Sequence, residues 1–261
     1  MNIEPVESLP TPEYPDKYSD EIHDLLATTY PRRWVAKSLV VGALTVTAAL
    51  SLGSCGILGK TNSADDLQNR YLPIFEYGDG IGSIGCMAIA APVFLSEEEA
   101  FVIMQAAFAE AGLTYKNKTL SLKNATRPVV DKYSHQDDYI TENKRGTLKA
   151  DGVLELGKGT PVVFVSIIEL DAWQRIGGGY STASTYRFKE AAQELANNNP
   201  GLIVFYDPVV HIYNPVSIFG NLGDPGFIWA ETAEKAQAKS ESLLHQQVLA
   251  FIEWLRAETS R

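Results

Sequence analysis

The stretch SLVVGALTVTAALSL, residues 38–52, carries no charged side chain and constrains this chain more than any other feature. Its 15 residues are short for a bilayer span, which takes about 20 in a helix, and match the hydrophobic region of a signal peptide. The run has no polar face, which argues against a surface helix packed on a core. Arg32, Arg33 and Lys37 precede it, and no acidic residue follows Asp24 on that side. Such a flank stays in the cytoplasm, so the chain leaves it heading outward. The segment is then either cut off after export or kept as a signal anchor over residues 38–57.

Leu52-Gly53-Ser54-Cys55 closes the run. Leu three positions before Cys, small residues between, and the Cys itself resemble the lipobox of bacterial lipoproteins. That resemblance implies a diacylglyceryl group on Cys55, cleavage that makes Cys55 the first residue, and a lipid-anchored protein on the extracytoplasmic face of a bacterial cell membrane. The residue types suit the chemistry, because small side chains admit a peptidase and lipid transfer needs a nucleophilic thiol. More than 30 residues precede Arg32, and the paired arginines followed by Lys37 partly resemble a twin-arginine export signal. Pro31 stands there in place of Ser or Thr, and Val35-Ala36 in place of Phe-Leu.

The organisation expected is a cytoplasmic, largely disordered tail over residues 1–33, a signal or membrane segment over 34–54, a small polar tether over 55–70, and one globular domain over 71–258. The hydrophobic fraction of 45% is enough to bury a core in that domain. A net charge of −10 argues against nucleic acid, whose phosphates need clustered Lys and Arg. It also suits anionic membrane surfaces poorly. With two cysteines, Cys55 and Cys86, a multi-cysteine zinc site is excluded, and Cys86 reads as a small apolar core residue.

Within the domain, FLSEEEAFVIMQAAFAEAGL, residues 94–113, predicts a helix. Ser96 with Glu99 makes a capping box, Glu97–Glu99 suit the positive end of the dipole, and Gly112 is the stop. Phe101, Met104, Phe108 and Ala111 form its packing stripe. The runs CMAIAAPVF, residues 86–94, PVVFVSIIEL, 161–170, and GLIVFYDP, 201–208, predict buried strands. LTYKNKTLSLK, 113–123, alternates as a half-exposed strand pair or hairpin. A helix over 185–196 between two buried strands predicts parallel pairing with a crossover. Residues 230–258 predict a long closing helix docked through Leu244, Val248, Phe251, Ile252 and Leu255. The fold class expected is α/β or α+β: a two-layer or three-layer domain whose mixed sheet contains one strand–helix–strand unit.

The best candidate ligand site is the loop IGGGYSTAST, residues 176–185. Gly178 and Gly179 free the backbone N–H groups, while Ser181, Thr182 and Ser184 add hydroxyls before a helix N-terminus. Parallel strands would bring Glu169, Asp171 and Asp207 to the same C-terminal edge, where open sheets place ligands. The alternative is a mobile connection with solvated strand-end acids. Gly80, Gly82 and Gly85 match a dinucleotide fingerprint in form, but the segment runs into a strand rather than a helix. His135, Asp137 and Asp138 read as a surface loop rather than a metal site. No cofactor and no catalytic constellation is identified. The functions in view are a protein binding a small polar ligand or an envelope protein, a hydrolase using Asp207 or Glu169 as base, and a retained membrane-anchored structural component.

Overall fold

The computed structural model describes residues 67–84, 92–130, 139–156, 162–168, 173, 175–176, 184–212 and 228–259. The chain divides into units Met1–Gly56 and Ile57–Arg261, and every described residue belongs to the second. The apolar run, Cys55 and most of the tether lie outside the described residues.

The fold is α+β, as the alternating and helical patterns predict. Its principal sheet holds four strands in the order β3-β4-β5-β8, with β3 Thr114–Val129, β4 Glu142–Glu155, β5 Val162–Ile167 and β8 Leu202–Phe205. β3/β4 and β4/β5 are antiparallel, while β5 and β8 are parallel, pairing Phe164 with Leu202 and Ile167 with Phe205.

Helices cover both faces of this sheet. α1, Glu97–Glu110, and α3, Ala233–Thr259, share one core with Leu154, Val163, Val165, Ile203 and Phe205. α2, Phe188–Asn198, shares the other with Phe164, Leu202 and Val204. Successive residues of β8 thus enter opposite cores, and all four are buried, which is why that segment reads as an unbroken apolar run. Of the α3 stripe, Leu244, Val248, Phe251, Ile252 and Leu255 are all buried, and the helix is more exposed before Leu244.

Two small sheets complete the unit. One orders β1-β7-β6 and the other β10-β9-β2, with β1 Ile81–Ile84, β2 Pro92–Val93, β6 Arg175–Ile176, β7 Ser184–Arg187, β9 Val210–Ile212 and β10 Ile228–Ala230.

Three expectations are corrected. The alternating residues 113–123 are not two strands: they begin the single strand β3, and shifts at Asn117/Leu120 and Leu122/Ala125 are bulges within it. Asn124, with φ 60°, supplies the left-handed residue of the second, a conformation Asn tolerates. The helix expected from Thr185 starts at Phe188, because residues 184–187 alternate buried and less buried as β7, with Tyr186 against Phe94. The closing helix begins at Ala233 rather than near residue 230, since Ile228–Ala230 pair with β9.

Candidate functional site

The described part of the candidate site lies at the C-terminal end of β8, in Tyr206-Asp207-Pro208-Val209, which runs directly into β9. Gln247 of α3 holds it from one side. Its Nε2 donates to the carbonyls of Tyr77 at 2.9 Å and Tyr206 at 3.0 Å, and its Oε1 accepts the Tyr206 N–H at 3.2 Å. The Tyr206 hydroxyl donates to the Gly78 carbonyl at 2.8 Å. Gly80 N–H donates to the Pro208 carbonyl at 3.1 Å. Gly78 has φ +95°, and a Cβ there would lie 2.4 Å from that of Pro208, so only glycine fits.

Asp207 grips the other side. One carboxylate oxygen accepts the Leu95 N–H at 2.6 Å and the other the Val209 N–H at 2.8 Å. The first bond fixes the residue before the Ser96 N-cap of α1; the second stabilises Val209 at φ 54°. That angle is uncommon for a β-branched residue and is held only where neighbours impose it. Asp207 is 6% exposed. Burial pushes its carboxyl up to about 7, against the pull of the Val209 and Leu95 N–H groups and with a smaller push from Glu99. His211, on β9, is fully buried beside Trp229. Burial lowers it to about 4, and a hydrogen bond with the Ile228 backbone works the other way.

Asp207 therefore sits at the expected sheet edge, but it is an internal fastening between β8, α1 and β9 rather than a solvated strand-end acid. Glu169, Asp171, Gly178, Gly179, Ser181 and Thr182 lie outside the described residues, as do His135, Asp137 and Asp138. The frame around the glycine-rich loop is described and changes its reading. Arg175 pairs with Thr185 and Ile176 with Ser184, so residues 177–183 connect two antiparallel strands. The loop does not open a helix: β7 intervenes, and the α2 N-cap, Arg187, makes no side-chain capping bond. Ser184 itself belongs to β7. Gly80 leads into β1 and Gly82 lies within it, opposite Tyr186 of β7, as expected for a strand rather than a nucleotide loop.

No protein family, curated protein or solved structure matches this chain.

Sequence reasoning missed Asp151. It stands on β4 at the same end of the sheet, where its carboxylate accepts the Ile167 N–H at 2.7 Å and the Ser166 hydroxyl at 3.2 Å. An acid inside an alternating strand, in KADGV, was the available signal. Gln247 was missed as well, being a polar residue within an otherwise apolar helix stripe.

Proposed function

We propose that the protein is a lipid-anchored extracytoplasmic binding protein, taking a small polar ligand or an envelope protein at the C-terminal edge of β5 and β8. The observation that carries this reading is Leu52-Gly53-Ser54-Cys55 at the end of an uncharged run, 12 residues ahead of Leu67, where the described fold begins. An exported domain on such a tether needs no membrane span of its own, and no helix among the described residues is long and apolar enough to be one.

Both oxygens of Asp207 are occupied by main-chain N–H groups, so ligand contact falls to Glu169, Asp171 and the loop with Gly178, Gly179, Ser181 and Thr182. The same engagement disfavours Asp207 as a hydrolytic base, which would have to meet substrate and water.

The test is the mass of the protein purified from its own membranes, taken under native and then denaturing conditions. The expected result is loss of residues 1–54, a lipid on Cys55, and extra native mass that denaturation releases. A chain starting at Met1 without lipid would overturn the reading and favour a retained membrane-anchored structural component.

A further inference from the structure

Strands β3 and β4 run against the acidic balance of the chain. Seven of the chain's 22 basic residues lie on these two strands, beside only three of its 32 acids. All three acids are engaged locally. Glu155 pairs with Lys116 and Glu142 with Lys144, each at 2.5 Å, while Asp151 receives the Ile167 N–H and the Ser166 hydroxyl. Lys118, Lys123, Arg145 and Lys149 have no acidic partner among the described residues, and all four are exposed.

They gather on one side. Along β4, Arg145, Thr147 and Lys149 are exposed while Leu148 and Ala150 are buried, the period-two alternation of a sheet with one wet face. Register sets Ser121 opposite Lys149 and Thr126 opposite Arg145, and Lys123 follows Ser121 by two. Lys116 stands apart from them, opposite the buried Val153 in the row that runs through Phe164 to Leu202 of the α2 core, and Lys118 stands in the first bulge.

We propose that this basic face rests on anionic lipid headgroups of the membrane to which the chain is tethered, an inference that rests on the lipid-anchor reading above. Two observations choose a lipid surface over a protein. The face carries lysine and threonine with no large exposed apolar residue: Tyr71, Tyr77, Val102 and Leu249 all lie elsewhere. Protein interfaces deplete lysine and need an apolar centre, whereas hydrated, flexible ammonium groups suit a diffuse layer of phosphates.

The second observation is where the chain enters. Gly201 N–H donates to the Arg70 carbonyl at 2.8 Å, and Gln68 lies against Gly201, so the tether joins the sheet beside Leu202. Leu202 pairs with Phe164, Phe164 with Val153, and Val153 with Lys116. Lys116, the first basic residue of β3, is thus three strand spacings away, roughly 14 Å. Twelve residues from Cys55 to Leu67 span at most about 40 Å, which leaves the face within reach of the bilayer.

The test uses the protein purified from its own membranes and reconstituted in vesicles of neutral phosphatidylcholine, with and without phosphatidylglycerol. Lysines are acetylated with an amine-reactive ester and their rates read residue by residue by mass spectrometry. Lys118, Lys123 and Lys149 should react about threefold or more slowly on the anionic vesicles. The protection should vanish in 1 M salt, where screening acts within about 3 Å, and Lys235 and Lys239 of α3 should not change. Equal rates on both vesicles would overturn the proposal. Protection by soluble polyphosphate but not by anionic vesicles would overturn it too, in favour of a polymer partner. The intact mass of the same sample reads the anchor independently. Protection on an unlipidated Met1 chain leaves the surface standing and removes the anchor, while exposed lysines on a lipidated Cys55 chain do the reverse.

Discussion

Asp207 shows how one side chain converts burial into pH dependence. Its carboxyl titrates near 3.8 when exposed and near 7 in the fold, so between those values the native state binds the extra proton. The resulting stabilisation is complete below about pH 4 and is lost as pH rises through 7. Asp207→Asn cannot titrate, and its amide leaves one of the two N–H groups without an acceptor, at a cost of about 1–3 kcal/mol. The wild type should therefore exceed the variant in stability by more at pH 5 than at pH 8, as read by urea unfolding at the two values. A constant difference would show that Asp207 does not change protonation on folding. FYDP places this residue at a strand end from sequence alone. Its burial was not legible there, because one fastening partner, Leu95, lies 112 residues away.

At the scale of elements, the ends of α1 were readable because their chemistry is local. Ser96 and Glu99 form both bonds of the capping box. At the other end, Leu113 N–H reaches the Phe108 carbonyl and Gly112 N–H the Ala109 carbonyl, with Gly112 at φ +75°, a Schellman stop. The start of α2 was misread because SerThrTyrArg has a period of two that only pairing with β1 and β6 makes decisive. Two glycines separate conformation from space. Gly112 and Gly201 have nearly equal φ, +75° and +73°, but a Cβ at Gly112 meets nothing within 4 Å, while one at Gly201 lies 2.7 Å from the Gln68 carbonyl oxygen. Gly112→Ala should cost about 1 kcal/mol, the left-handed penalty alone, and Gly201→Ala clearly more, measured by thermal unfolding. Equal losses would mean that the segment around Gln68 yields freely. Gln247→Leu keeps the size but strands the Tyr206 N–H in the core, so α3 should loosen from β8 with a loss of about 2–4 kcal/mol. A loss under 1 kcal/mol would mean that water replaces the amide.

Across the whole molecule, the sequence patterns carried the α+β class, the parallel β5/β8 pair and the long closing helix, since each depends on residues near one another in the chain. The two small sheets were not legible. Their strands are two to four residues long, below the length at which alternation can be counted, and β9 joins partners from both sides of the chain, β2 and β10. That junction also holds two groups that respond to pH in opposite senses. His211 of β9 falls from 6.5 to about 4 on burial, so its contribution is present above pH 6.5 and lost as pH falls through 4, the reverse of Asp207. From pH 4 to 6.5 the two groups oppose each other. Above 6.5 only Asp207 still changes, and it subtracts. His211→Phe, which keeps a ring against Trp229, removes one side of this balance, leaving a contribution that falls steadily from pH 4 to 7. Asp207→Asn leaves the other, which rises from pH 4 to 6.5. Unfolding free energies of the two variants, each referred to wild type over pH 4–8, should thus slope in opposite directions: the His211→Phe difference growing more unfavourable as pH rises to 6.5, the Asp207→Asn difference shrinking up to 7. Parallel slopes would show that the two groups do not titrate independently, and that the segment from Asp207 to His211 opens as one piece.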